Sequence, residues 1–327
     1  MSNFSWGIIG TGGIAQAFVD DIKLASGHSI GAVGSRTLSK AQEFTESIPG
    51  AIAYGSYQEL VQDRNVDAIY VASPHPMHCE HTLLALNAGK PVLCEKPFAI
   101  SAKQAQLMIQ TARKNNVALL EAMWTRYLPH IAKVREILSS RVLGQIQSVE
   151  ADHGQRLADQ NIPRLMDPAL GGGALLDLGI YPISFLHLVL GTPTQITARA
   201  VMTDKGVDAQ TSAIFDYSHG AQGVINTTMT ALTPCRAVIS GLLGRLEIDT
   251  TFYNPTTMRV ILFDGTVTEF PNTYIGHGLR EQAIEMARVV RAGELESPLM
   301  PWDETVEVMK SMDQVRAQIG LIYPFDN

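Results

Sequence analysis

The sequence predicts an α/β protein, and three observations carry that reading. A short apolar run, Trp6-Gly7-Ile8-Ile9, enters a glycine-rich turn at Gly10 that opens a helical pattern. Strand-like and helix-like segments then alternate as far as Leu120, which predicts a doubly wound parallel sheet with helices on both faces. Beyond Gly144 the pattern changes to short strand-like segments joined by turns. A chain of 327 residues holds two domains of ordinary size, each with its own core. The boundary is expected between residues 122 and 123, with the last helix a candidate to pack back on the first domain.

The turn Gly10-Thr11-Gly12-Gly13-Ile14-Ala15 has the form Gly-x-Gly-x-x-Ala between a strand and a helix expected to run to about Ser26. Gly10 permits the tight turn, Gly12 lets the backbone approach a pyrophosphate, and the small Ala15 lets the helix lie close to its strand. The helix amino terminus offers free N–H groups and a positive dipole end to the anion. Dinucleotide contacts are therefore expected at Gly10, Thr11, Gly12, Gly13 and Ile14. The second strand, Ser29 to Gly34, ends in Ser35-Arg36-Thr37, where a site preferring NAD would carry Asp or Glu for the ribose hydroxyls. Arg36 suits a charge-assisted fork to a 2′-phosphate, and Ser35 and Thr37 add hydroxyls, so NADP is the expected cofactor with NAD as the alternative. The plainer role for Arg36 is stacking on adenine or facing solvent.

Val66 to Ala72 reads as a buried strand ending in Ser73-Pro74-His75-Pro76-Met77-His78, and the helix after it stops at Ala88-Gly89-Lys90. Pro91 to Cys94 is the next strand and delivers Glu95-Lys96-Pro97. Gln104 to Lys114 is an amphipathic helix, and Val117 to Leu120 is the last strand of this half. Ligands of such sheets bind beyond the carboxyl ends of the strands, which lines up Gly10, Arg36, Ser73, Glu95 and Glu121 along one edge. Ser73, Pro74, His75, His78, Glu95 and Lys96 complete the cofactor candidates. The two histidines at a turn, with no converging carboxylate or thiolate, do not make a metal site, and no metal is expected.

In the second half, strands are expected at 146–152, 195–203, 208–217, 220–228, 237–241, 245–248, 257–263 and 267–270, with helices at 279–292 and 303–320. Asp177 and Tyr181 are four apart and share a face if the helical pattern of Ile180 to Leu190 begins there. Hydride transfer at a carbon bearing oxygen needs an acid/base at that oxygen, and Tyr181 is the first choice, with Asp177 orienting the substrate hydroxyl or Lys96. A nearby ammonium such as Lys96 would favour the phenolate. The plainer alternatives are a core tyrosine and a helix cap. Trp124, Arg126 and Tyr127 lie just past the last strand of the first half, where enzymes that this chain resembles line their substrate pocket, and His153 and Arg156 are further candidates. Tyr274, His277 and Glu281, ahead of a helix, are candidates to close the cleft.

The glycine turn, Ser73-Pro74 through His78, Ala88 through Glu95-Lys96-Pro97, and Asp177-Leu178-Gly179-Ile180-Tyr181 together resemble the Gfo/Idh/MocA oxidoreductase family over nearly the whole chain. Glu121-Ala122-Met123-Trp124-Thr125-Arg126-Tyr127 and Gly172 through Tyr181 look most like its dihydrodiol dehydrogenase and NADP-dependent D-xylose dehydrogenase branch. The resemblance implies an amino-terminal Rossmann domain followed by an α/β domain on a large, open, mostly antiparallel sheet. It also implies a homodimer through the exposed sheet face, and a catalytic pair at Lys96 and Tyr181. Other members carry histidine at the Tyr181 position, which narrows the branch and leaves the reaction class unchanged. The expected activity is hydride transfer between NADP and a sugar, trans-dihydrodiol or related polyol or carbonyl compound. An NAD-dependent inositol or aldose dehydrogenase, or a cofactor-sensing regulator without turnover, are the alternatives.

Composition narrows the rest. At 46% hydrophobic and 17% charged the chain reads as globular, and no apolar run is expected to reach the roughly 20 residues of a bilayer span. The amino terminus, Met1 to Trp6, lacks a basic segment followed by an apolar stretch, so a cytoplasmic protein is expected. With a net charge of −7 and scattered Lys and Arg, no surface is prepared for nucleic acid. Cys79, Cys94 and Cys235 suit reduced thiols.

Overall fold

The computed structural model describes residues 3–157 and 162–326; Met1 and Ser2 of the amino-terminal segment lie outside them. The chain divides into two compact units, Met1–Tyr127 with Gly276–Thr305, and Leu128–Ile275 with Val306–Asn327.

The first unit is built on six parallel strands, β1 (Phe4–Ile9), β2 (His28–Gly34), β3 (Ile52–Tyr54), β4 (Ala68–Val71), β5 (Val92–Glu95) and β6 (Leu119–Ala122), in the order β3-β2-β1-β4-β5-β6. Helices α1 (Gly13–Ile22), α2 (Leu38–Thr45), α3 (Tyr57–Val61), α4 (His78–Asn87) and α5 (Ala102–Asn115) connect them. Every residue of β4, β5 and β6 is buried, which is why these strands are apolar runs and not alternating ones. The strand order reverses between β1 and β4, the switch point where a sheet of this kind opens a crevice for a ligand. Helix α1 stops at Ile22, short of Ser26, because Leu24 and Ala25 turn back to donate to the Asp21 and Ile22 carbonyls.

The second unit carries eight strands: β7 (Ile146–Gly154), β8 (Gln195–Met202), β9 (Asp208–Asp216), β10 (Gln222–Thr228), β11 (Ala237–Gly241), β12 (Gly244–Ile248), β13 (Met258–Leu262) and β14 (Val267–Phe270). Their order is β14-β13-β12-β11-β7-β10-β9-β8, antiparallel throughout except for the parallel β7–β10 pair. Burial alternates along β9 and β10, so one face is covered and the other carries exposed side chains such as Ile214 and Val224. Helix α6 (Pro129–Ser140) precedes the sheet, and α7 (Ile180–Leu190) packs on β7 and β10. The segment Pro168–Leu190 is long and apolar enough to span a bilayer, against the expectation that no such run exists. Most of it is buried inside the fold, so its apolar character belongs to the core of the sheet.

Helix α8 (Leu279–Ala292), placed by the sequence reading after the domain boundary, groups with the first unit. The reason is Asp21 near the end of α1, whose buried carboxylate accepts the backbone N–H groups of His277 (2.9 Å), Gly278 (3.0 Å) and Arg280 (2.8 Å). Helix α9 (Trp302–Ile319) begins in the same unit, where the Trp302 indole N–H donates to the Leu119 carbonyl at 2.7 Å.

Candidate active site

Gly10 sits at φ +108°, and a Cβ there would lie 2.7 Å from the Ala72 carbonyl oxygen, so only glycine makes this turn. Gly12 caps α1 without a side-chain hydrogen bond, and a Cβ on Gly12 or Gly13 would meet nothing within 4 Å. Open space therefore faces the uncapped N–H groups of the helix, the cradle that a pyrophosphate fits. Ser35 is buried at the end of β2, while Arg36 and Thr37 are exposed beside it. A cleft next to the glycine turn is lined by Thr11, Gln16, Lys40, Glu43, Phe44 and Ser47. Near Arg36, the Tyr57 ring meets the His81 ring edge-on at 4.6 Å, and His81 Nδ1 lies 2.9 Å from the Ser73 hydroxyl. Burial, with the Arg36 charge nearby, pushes the His81 pKa down to about 4.

The Lys96 turn is held on both flanks. Before it, the buried Glu95 carboxylate accepts the Lys96 backbone N–H at 3.1 Å and the Tyr70 hydroxyl. After it, the Pro97 carbonyl lies 2.8 Å from His78 Nδ1, and the other ring nitrogen, Nε2, lies 2.8 Å from the Ser73 carbonyl. Burial pushes the His78 pKa down to about 4 against these two carbonyls, which favour the charged ring. Beyond β6, burial pushes the Glu121 carboxyl up to about 7, with the Thr305 hydroxyl donating to it at 3.0 Å.

In the second unit Leu175–Gly179 forms a π-helical turn that runs into α7, so Asp177 and Tyr181 straddle the junction of two helix types instead of one α-turn. Arg164 pairs with Asp177 through two contacts, 3.1 and 3.3 Å. Tyr181 belongs to a ring cluster, with His153 at 5.3 Å and Tyr253 at 4.7 Å, and His153 and Tyr253 at 4.1 Å from each other. His153 Nε2 lies 2.8 Å from the Gln155 amide nitrogen, a donor, so Nε2 accepts and Nδ1 carries the proton given to the Leu178 carbonyl at 3.1 Å. The same Gln155 amide donates to the Tyr253 hydroxyl at 2.9 Å, and burial raises the Tyr253 pKa. The turn is entered through Gly173, at φ +109°, where a Cβ would lie 2.2 Å from Asp208 Oδ1. Asp208 caps the turn by accepting from the Leu175 N–H at 2.9 Å, and burial pushes its carboxyl up to about 7.

Residues 4–123 match the model of an oxidoreductase family with an NAD-binding Rossmann fold, and residues 131–247 match that of the GFO/IDH/MocA C-terminal domain. This chain belongs to the Gfo/Idh/MocA oxidoreductase family. It is 36% identical to a trans-1,2-dihydrobenzene-1,2-diol dehydrogenase of Xenopus tropicalis over 98% of its own length and 99% of the relative's. It is 37% identical to a D-xylose 1-dehydrogenase (NADP(+)) of Hypocrea jecorina, over 98% of this chain and 93% of that one. Among solved structures, a 3-ketoreductase from Actinomadura kijaniata in complex with NADP and TDP-benzene superposes with a TM-score of 0.86 at 27% identity, covering 97% and 98% of the two chains.

Several of the residues expected at the cofactor or substrate are enclosed in the fold. Glu95 and His78, expected at the cofactor, are buried and hydrogen-bond to the backbone around Lys96, Glu95 also accepting the Tyr70 hydroxyl. Arg126, expected at a substrate oxygen, is 1% exposed and ion-paired with Glu304. Trp124 is buried with its ring 4.8 Å from His277, Glu281 pairs with Arg280, and Tyr127 donates to the Glu121 carbonyl at 3.0 Å. His75 is buried next to His78, whereas Arg156 is exposed. Tyr253, Gln155, Arg164 and Lys40 escaped the sequence reading. Only Lys40 left a signal, being a cation four residues past Arg36 in the first turns of α2.

Proposed function

We propose that this protein is an NADP-dependent oxidoreductase acting on a sugar, a trans-dihydrodiol or a related polyol, with Tyr181 as general acid/base and Lys96 as a second catalytic residue. The observation that carries the reading is the Lys96 turn, braced by Glu95 and His78 at the end of β5 in a unit whose glycine turn suits a dinucleotide. The family names of the relatives, a diol dehydrogenase and an NADP-dependent xylose dehydrogenase, support the substrate class and the cofactor. Arg36, exposed where an acid would mark NAD, supports a 2′-phosphate, and Lys40 adds a second cation at the neighbouring cleft.

A bound nicotinamide would supply the hydride acceptor or donor. In the direction of oxidation, Tyr181 receives the substrate hydroxyl proton as the carbon gives up its hydride, and in reduction it returns that proton to the new alkoxide. Asp177, restrained by Arg164, orients the head of the helix that carries Tyr181.

Ile214 and Val224, on the exposed face of the second sheet, support a homodimer through that face, and the three buried free cysteines support a reducing, cytoplasmic location. Reduction of NADP, with NAD in parallel, against a panel of aldoses, inositols and trans-dihydrodiols tests the reading. Turnover with NADP on a polyol or sugar is expected. Equal turnover with both cofactors would remove the 2′-phosphate argument, and tight NADPH binding without turnover of any panel member would favour a sensor.

A further inference from the structure

We propose that Tyr70 is a positioning residue for this reaction: its hydroxyl fixes the Glu95 carboxylate, and Glu95 fixes the backbone from which Lys96 is presented. The inference rests on the reading that Lys96 takes part in the reaction.

Tyr70 lies in β4 and is paired in register with Leu93 of β5. Side chains two apart in a strand share a face, so Tyr70, Leu93 and Glu95 lie on one side of the sheet, with Tyr70 and Glu95 diagonal neighbours. The Tyr70 ring stacks on Phe18 of α1 at 4.0 Å and 20°, so the helix that follows the glycine turn covers that side. Tyr70 is 0% exposed and Glu95 is 4% exposed. One carboxylate oxygen accepts the Tyr70 hydroxyl and the other accepts the Lys96 N–H at 3.1 Å.

An apolar residue would fill this place in a central strand equally well, so the phenol brings something that packing does not need. A buried carboxylate that loses a donor turns to recover one, and turning Oε1 moves Oε2 off the Lys96 N–H. The side chain of Lys96 then leaves a fixed backbone for a looser one. Misplacement of a reacting group by about 1 Å costs on the order of 10²-fold in rate, and a partial loosening costs less.

The test is a double-mutant cycle on the full-length protein with NADPH and the panel substrate that turns over, comparing Tyr70→Phe, Glu95→Gln and the double variant. Tyr70→Phe keeps the ring on Phe18 and is expected to lower kcat about 10-fold while KM and the NADPH Kd, read from fluorescence, stay within about twofold. The double variant is expected to match Glu95→Gln alone, because the hydroxyl acts through the carboxylate. Losses that multiply, unchanged turnover in Tyr70→Phe, or a fall in NADPH affinity as large as the fall in kcat would overturn the proposal. Should Tyr70→Phe fail to fold, Glu95→Asp keeps the charge, shortens its reach and is expected to lose kcat in the same way, with unchanged turnover overturning the idea. Lys96→Met separates the two levels. If that variant keeps its kcat, the role of Lys96 itself fails; if it is silent while Tyr70→Phe turns over normally, only the positioning role fails.

Discussion

Replacing Asp21 by alanine is expected to destabilise the first unit by about 3–5 kcal/mol, a figure that follows from what this one carboxylate holds. It is 3% exposed and accepts three backbone N–H groups at the start of α8, from His277, Gly278 and Arg280. Loss of a helix cap costs about 1–2 kcal/mol. The Arg280 guanidinium, 14% exposed and 3.3 Å from Asp21, would also lose its buried partner, and breaking such a pair costs about 3–5 kcal/mol. Glu281, 3.6 Å from the same guanidinium, keeps the sum near the lower end of the two added together. Urea unfolding followed by tryptophan fluorescence reads the change, and hydrogen exchange at residues 277–280 localises it. A loss below about 1 kcal/mol, with those amides still protected, would refute the claim that Asp21 ties α8 to the first unit.

Arg36→Ala and Lys40→Ala are each expected to lower kcat/KM for NADP about 10-fold or more and to leave NAD unchanged, since a charge-assisted contact to a phosphate contributes about 1.5–3 kcal/mol. Steady-state kinetics with both cofactors checks this. Asp208, with its carboxyl near 7 in the fold against an ordinary 3.8, binds its proton more tightly when folded. Its contribution to stability is therefore full below the ordinary value and is lost as pH rises through about 7. The stability of the wild type relative to Asp208→Asn should fall by about 3–4 kcal/mol between pH 4 and 8 in denaturant titrations, and a pH-independent difference would contradict the assignment.

The strands that carry the dinucleotide turn and Lys96 were legible because they are buried on both faces, so their apolar runs stand out and the residues at their carboxyl ends follow by topology. The eight strands of the second sheet were legible from their alternation. Helices α2 and α3 and strand β3 were not, since α2 buries only Ala41 and the other two are five and three residues long. The place of α8 was hidden because its cap, Asp21, lies 256 residues upstream of His277. Within the site, position along the chain located Glu95, His78 and Arg126 at strand ends but could not tell a polar group facing a ligand from one turned inward. All three are buried in the fold. Tyr253 and Gln155 reach the Tyr181 ring cluster from irregular segments, where no periodicity announces a side chain's direction.

Single-turnover oxidation of NADPH by Tyr181→Phe, on the carbonyl product of the panel's best substrate, tests the central claim most directly. Loss of a general acid at the reacting oxygen should slow the step by about 10²–10⁴-fold while NADPH still binds with wild-type affinity. A rate within a few-fold of wild type would remove Tyr181 from the chemistry and contradict the account.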